Sequence, residues 1–564
     1  MFLPTVFEEV QKRKWNSLDI IFVMGDAYVD HPSFGVALLG RLLESIGYKV
    51  GIIAQPVNLN DIKRLGRPNL FFGVTAGSVD SMVANYTASG KKRKSDEFTP
   101  GGVNNRRPDR AVIQYVNMIK QCFKDVPIVI GGIEASLRRF AHYDWWSNRV
   151  RKSILVDSKA DILVYGMGER AIIEIARRLE EGKTLDRIRG TMVWKSSFSY
   201  DQQLFDKYVE VPSYDQVVEN KEIYAQMYKQ VALLTDPMEN VVIAQKQDTR
   251  YVIQYPPSIP LSSKELDELY LLPYVRKVHP FYERQGRVKA IDTVKFSITA
   301  VRGCFGNCSF CAISHHQTTH VSSRSIDSIL EEVRIISRMP DFRGTITDVG
   351  GPTANMYGYT CNIRDSKGQC AKSCLVPNIC SVLKNDDVSL KFIDLLDSIR
   401  KVQGIKHVFV GSGIRHDLIL ASQERDYIIE KLVDYTSGQL KLAPEHAHPE
   451  VLRLMNKPRV ELFLEFKRLF EEAARKKGKE KYVIGYFIVG HPGEGERENL
   501  FLWEFVKKHL GYVPQQVQIF TPTPGTLSTT MYYTEIHPFT GEQVFVEKRQ
   551  KFRERFKENI IRLK

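Results

Sequence analysis

Three cysteines fall within eight residues, Cys304, Cys308 and Cys311, in Gly303-Cys304-Phe305-Gly306-Asn307-Cys308-Ser309-Phe310-Cys311. Thiolates this close can converge on one metal centre. Placed on three corners of a four-iron cube, they would leave the fourth iron without a protein ligand. An open metal position is where a small molecule can bind and be activated. A tetrahedral zinc ion could take the same thiolates together with His315 or His316, although zinc modules usually pair C-x2-C with a second pair farther along. A disulfide is geometrically poor at these separations. Four more cysteines follow, Cys361, Cys370, Cys374 and Cys380, spaced C-x8-C-x3-C-x5-C. Four thiolates can close a second site. An auxiliary iron–sulfur cluster, a structural zinc and half-buried free thiols all fit that spacing.

The elements that must position these residues read as α/β throughout. Strands at 18–24, 49–54, 71–75, 128–132 and 161–165 alternate with helices at 33–47 and 110–123. The strands are short apolar runs and the helices carry apolar residues at helical spacing. Such alternation implies a parallel, doubly wound, Rossmann-like sheet with right-handed crossovers. Residues 211–289 break the pattern with aromatic and proline-rich stretches, among them Tyr255-Pro256-Pro257 and His279-Pro280-Phe281-Tyr282, and read as a connecting segment. Six further strands are expected at 294–300, 345–349, 407–410, 439–443, 482–489 and 516–520, most of them followed by a helix. The division is therefore 1–210, 211–289 and 290–560. In a (β/α) barrel the working residues lie on loops after the strands' carboxyl ends. The three close cysteines follow the first of the six strands, which is that position.

Composition sets wider limits. A hydrophobic share of 43% with 26% charged residues is that of an ordinary globular protein, and 564 residues require two or more domains. Seven of the eight cysteines lie between positions 304 and 380, a clustering that favours metal chemistry over a disulfide framework. No run of about 18 apolar residues occurs, so no membrane span is expected. The first residues carry Glu8 and Glu9 where a signal peptide needs a basic flank, so a cytoplasmic location is expected. The net charge of +14 permits an anionic partner such as RNA without demanding one. Runs such as Lys91-Lys92-Arg93-Lys94 read as solvated surface.

The C-x3-C-x2-C spacing resembles the signature of radical S-adenosylmethionine (SAM) enzymes, and six strand–helix units resemble their partial (β/α)6 barrel. The whole chain resembles the YgiQ-type members of that superfamily. The resembling stretches include Gly131-Gly132-Ile133-Glu134-Ala135-Ser136-Leu137-Arg138-Arg139, Gly351-Pro352-Thr353-Ala354-Asn355 and Lys441-Leu442-Ala443-Pro444-Glu445-His446. The resemblance implies that Cys304, Cys308 and Cys311 hold a 4Fe–4S cluster. It also implies that SAM chelates the open iron and that an electron from a low-potential donor cleaves it to a 5′-deoxyadenosyl radical acting on a substrate. Gly350 and Gly351 resemble the glycine pair that contacts the SAM amino group. Ser412 lies in a small-residue turn that allows close approach, and Arg415 is a candidate partner for the SAM carboxylate. Glu445 and His446 are candidates for ribose contact, substrate proton handling or a structural hydrogen bond. The N-terminal region resembles a cobalamin-binding-like domain, whose ligand motif is D-x-H-x-x-G. Here Asp30 and His31 are adjacent in Asp30-His31-Pro32-Ser33-Phe34-Gly35. His31 therefore reads as a loop or cleft residue and no cobalamin is expected. The substrate stays open, with RNA or protein modification as one version. The competing reading is a non-catalytic RNA-binding protein stabilised by zinc or a cluster.

Overall fold

The computed structural model describes residues 1–198, 204–368, 370, 373–384 and 386–562. The chain forms two compact units, Met1–Pro260 with Leu271–Lys295 and Thr523–Gly525, and Leu261–Tyr270 with Phe296–Pro522 and Thr526–Lys564.

The first unit is built on a nine-stranded sheet. Its order is Lys207–Val211, Val241–Gln247, Arg250–Gln254, Thr191–Lys195, Ile162–Val164, Ile128–Gly131, Phe71–Thr75, Ile20–Met24, Val50–Ala54. The last five strands are parallel. Ile20–Met24 reads Ile-Ile-Phe-Val-Met and all five residues are buried, as a central strand covered on both faces requires. Helix Glu169–Glu180 buries Ala171, Ile172, Ile175 and Ala176, one stripe at helical spacing. Thr191–Lys195 joins antiparallel to Ile162–Val164, and Arg250–Gln254 pairs antiparallel with it in turn.

Two strands of this sheet, Val241–Gln247 and Arg250–Gln254, come from the stretch read as a connecting segment. Their glutamines obscured them. Gln245, Gln247 and Gln254 are buried, and each is matched by a partner. The Gln245 side-chain carbonyl accepts from the Ala141 amide at 2.9 Å, that of Gln247 from the Ser153 amide at 2.9 Å, and that of Gln254 from Arg139 at 2.7 Å. Buried polar groups satisfied in this way are compatible with a core strand, but they erase its apolar pattern.

The second unit contains the six expected strand positions. Ser297–Thr299 pairs in parallel with Asp348–Gly350, and Thr345–Ile346 with His407–Val408. Gln439–Glu445, Tyr482–Val489 and Val517–Ile519 form a three-stranded parallel sheet. Helices cover these strands. Val460–Lys476 turns Val460, Phe463, Phe466, Phe470 and Ala474 inward, one stripe of an amphipathic helix. No helix among the described residues is long and apolar enough to cross a membrane.

Candidate metal centre

The three close cysteines occupy a loop pinned at its base. Val301–Arg302 pairs antiparallel with Ser322–Ser323, so the chain leaves and returns at one place. Inside that base the Cys304 amide donates to the Thr318 carbonyl at 3.2 Å and the Cys311 amide to the Cys308 carbonyl at 3.0 Å. Arg302 donates to the Tyr270 hydroxyl at 2.9 Å, and the Arg324 guanidinium lies 4.8 Å from the Tyr270 ring centre. Arg324 is itself buried, held by Glu332 and by Ser328 at 2.7 Å.

Gly303 turns the chain into the loop with φ of +77°, and a Cβ there would stand 1.8 Å from the His320 carbonyl oxygen. Gly303→Ala is therefore expected to cost more than the roughly 1–2 kcal/mol that left-handed backbone alone exacts from alanine. Thermal unfolding together with iron content after reconstitution measures this, and both should fall.

All three thiols are free and half-buried. Burial pushes the Cys308 thiol up, while Lys457 and Arg415 work in the opposite direction. Burial takes the Cys311 thiol up to about 11, opposed by the backbone amides of Ile313 and Ser314 in the helix Ala312–Gln317 that it starts. Arg415 Nη1 stands 3.9 Å from Cys308 Sγ, and Thr353 Oγ1 lies 3.4 Å from Cys304 Sγ. Cys304 and Phe305 pack into an apolar cluster with Met356, Tyr359, Leu375, Leu383 and Leu418.

The other predicted residues gather at the same strand ends, with functions the sequence did not show. Arg415 is buried, and its Nε and Nη2 grip Asp417 at 2.8 and 2.5 Å. Burial works against the Asp417 charge, yet Arg415 takes its carboxyl down to about 2. The two-pronged face of Arg415 is thus spent on Asp417, and only Nη1 is turned to the cysteines. Ser412 is held by Asp348, which also accepts the Gly411 and Ser412 amides at 2.8 Å each. Sequence reading passed over Asp348. A Cβ on Gly351 would come within 2.1 Å of the Val301 carbonyl oxygen, and one on Gly350 within 2.6 Å of Ser412. These glycines therefore let strand ends pack on each other, a need distinct from ligand approach.

His446 is fully buried. Its Nδ1 accepts the His448 amide at 3.0 Å, and Nε2 lies 3.3 Å from Glu494 without hydrogen-bond alignment. Glu494 is in turn held by the Gly490 amide at 2.5 Å and by Asn499 at 2.9 Å. His446 thus faces the Glu494 carboxylate of the turn after Tyr482–Val489. His491 in that turn, bonded to Ser528 Oγ at 2.6 Å, packs edge-on to Phe310 of the cysteine loop.

Glu445 ends its strand with φ of +70°, a left-handed conformation rare for a long side chain, and its carboxylate lies 3.9 Å from the buried Lys457 ammonium. Burial raises the Glu445 carboxyl from 4.5 to about 7, with Lys457 and Arg415 opposing. Between those two pH values the folded carboxyl keeps a proton that the unfolded one has released, so stability declines as pH rises through this window. Glu445→Gln should leave the unfolding midpoint unchanged near pH 4. At pH 8 it should raise stability by roughly 3 kcal/mol.

Among the described residues no three His, Cys, Asp or Glu side chains crowd closely enough to hold one ion.

A family model described as the radical SAM N-terminal domain matches residues 2–297, and the radical SAM superfamily model matches residues 298–503. A domain of unknown function, DUF3362, matches residues 515–564. A UPF0313 protein of Thermotoga maritima is 64% identical over 567 aligned residues, covering 100% of this chain and 98% of the relative. One from Clostridium botulinum is 48% identical, covering 98% of this chain and 86% of its own. The chain belongs to the UPF0313, YgiQ-type family of radical SAM proteins. It is an enzyme of that superfamily, and membership implies a 4Fe–4S cluster and SAM.

The fold resembles that of TsrM from Kitasatospora setae, a radical SAM methyltransferase solved with cobalamin and a [4Fe-4S] cluster. The TM-score is 0.54 at 13% identity, covering 97% of this chain and 89% of that one. OxsB, a cobalamin-dependent SAM radical enzyme, gives 0.51 at 10% identity, covering 97% of this chain and 57% of that one. At such identities the likeness is one of fold.

The donor set fits a cluster: three free thiols, half-buried, with the Arg415 guanidinium 3.9 Å from Cys308 and an apolar wall on Cys304. The fit to cobalt is poor at His31, which is fully buried in the first unit. Its Nδ1 accepts the Ser33 amide at 3.1 Å, and its Nε2 stands 2.8 Å from Arg276. Its neighbour Asp30 is paired with the buried Arg41. A doubly wound sheet offers its crevice at the strand ends where the order reverses, here beyond Ile20–Met24 and Phe71–Thr75. There the buried Arg107 joins Asp26 at 2.7 Å, Asp96 at 3.1 Å and the Ala76 carbonyl at 2.6 Å.

Proposed function

We propose that Cys304, Cys308 and Cys311 are the three protein ligands of the 4Fe–4S cluster, and that this enzyme uses it to cleave SAM reductively for hydrogen abstraction from a substrate. The observation that carries the reading is the pinned loop, which holds three half-buried free thiols with Arg415 Nη1 3.9 Å from Cys308. When bound, the cluster and SAM supply a 5′-deoxyadenosyl radical; the chemistry is theirs, and the protein supplies position and exclusion of water.

The residues around the cysteine loop have definable tasks. Gly303 and the Val301–Arg302 pairing set the direction of the loop. Arg415 and Lys457 favour the Cys308 thiolate against its burial, and thiolate is the metal-binding form. Phe305, Met356 and Leu418 keep water from the Cys304 side. Asp348 locks Gly411 and Ser412 against the Gly350 strand end, so that the rim of the site is held by hydrogen bonds. Glu445 and Lys457 form a buried pair beside Cys308, suited to ribose contact or substrate proton handling.

His31, with both ring nitrogens engaged, is not a cobalt ligand in this reading, and no step involves cobalamin. Family membership sets aside the non-catalytic RNA-binding alternative. The test is anaerobic reconstitution with iron and sulfide followed by dithionite and SAM. 5′-Deoxyadenosine should form, and its absence from fully loaded protein would remove the proposal.

A further inference from the structure

The four later cysteines have no task in that reaction. Cys361, Cys370, Cys374 and Cys380 are all free and half-buried, in the loop between Asp348–Gly350 and the helix Asp386–Arg400. The Cys380 amide donates to the Cys374 carbonyl at 2.9 Å, so the residues between them close into a tight loop. Both cysteines pack, with Val376 and Ile379, on the apolar cluster of Phe305, Met356 and Tyr359 that also receives Cys304. One apolar cluster therefore carries cysteines of both groups.

Cys361 starts the short helix Asn362–Lys367, which is tied to the return arm of the first cysteine loop. Arg364 donates to Thr319 Oγ1 at 2.5 Å, and Asp365 lies 3.5 Å from His320 Nδ1. Arg364 also reaches Cys374. Arg364, Cys361 and Cys380 all lie close enough to Cys374 for their charges to act on it. Three thiols and a cation thus share one half-buried corner, with Cys370 in the same loop. Thiolates on a cluster stand apart by the width of its inorganic core. The crowding that one zinc ion demands is absent among the described residues.

We infer that Cys361, Cys374 and Cys380, with Cys370 as the fourth thiolate, hold a second iron–sulfur cluster beside the apolar cluster that also receives Cys304. Four thiolates leave no open iron, so this cluster would not bind SAM. The inference rests on the proposed function only in assuming that the first group is loaded separately.

The experiment is anaerobic iron, sulfide and zinc quantitation of the reconstituted full chain. It compares wild type, the Cys304→Ala/Cys308→Ala/Cys311→Ala variant and the Cys361→Ser/Cys374→Ser/Cys380→Ser variant. Wild type should carry about eight irons and each variant about four, a two-fold loss in each direction. About four irons in the second variant also shows that its fold and first site survive. Should that variant fail to fold, the electron paramagnetic spin count of reduced wild type decides: about two spins per chain supports the second cluster. About four irons in wild type that the later-cysteine variant retains in full, about one spin in that case, or a zinc ion lost with the later cysteines would overturn it. Failure of the proposed function reads differently, as an unaltered iron count in the first variant or no 5′-deoxyadenosine from loaded wild type.

Discussion

Cys308→Ala is expected to stop reductive SAM cleavage, lowering 5′-deoxyadenosine formation by roughly 10⁶-fold or more, to the uncatalysed background. The physical reason lies in the site's construction. Cys308 has Arg415 Nη1 3.9 Å from its sulfur, and the charges of Lys457 and Arg415 both favour its thiolate. With two thiolates left, the cluster loses a corner of its support, and any mixture of partly ligated iron lacks the single open position on which SAM chelation depends. Cys304→Ala and Cys311→Ala should behave alike, whereas Cys122→Ala, half-buried in the first unit against the Leu59 carbonyl, should leave the rate unchanged. Product quantitation by chromatography under dithionite measures all four. Retention of activity in any of the three loop variants would contradict the assignment.

Arg415→Met is expected to lower stability by about 3–5 kcal/mol, the usual cost of leaving one partner of a buried ion pair alone. Arg415 and Asp417 are both buried, and the two-pronged contact is what keeps the Asp417 carboxyl near 2. Without the guanidinium, Asp417 must take up a proton or remain a buried charge. The same substitution removes a cation 3.9 Å from Cys308, so iron loading should require higher pH than in wild type. The double variant Arg415→Met/Asp417→Leu should recover most of the stability, because it removes both charges, but not the loading defect. Denaturant unfolding of the three proteins, paired with iron uptake across pH, separates the two roles. A purely structural Arg415 would leave the loading profile unmoved.

Much of the architecture could be read before any coordinates. Tyr482–Val489 was expected at its observed limits because Tyr-Val-Ile-Gly-Tyr-Phe-Ile-Val is an unbroken uncharged, mostly apolar run, a pattern local enough to survive in sequence. Gln439–Glu445 ran two residues beyond expectation, through a proline and into Glu445, because its pairing with Tyr482–Val489 resumes past a bulge. Val241–Gln247 was missed for the opposite reason: its glutamines look like loop residues until Ala141 and Ser153, about a hundred positions away, supply their partners. Glycines at 350 and 351 were noticed, but their use was not, since Ser412 and the Val301 carbonyl are distant in the chain. Asp348 carries no signal at all until Gly411 and Ser412, 64 residues on, deliver their amides to it.

By itself the sequence determined the chemistry available. Thiol types and spacing are local properties, and three sulfurs within eight residues can reach one inorganic core whatever surrounds them. The family followed from the same short stretches. Only the tertiary structure decided how charge is distributed around those sulfurs. Arg415 is committed to Asp417, Lys457 faces Glu445 beside Cys308, and Cys374 shares an apolar cluster with Cys304. Such pairings join positions far apart in the chain, and their strength depends on burial, which exists only once the core has closed.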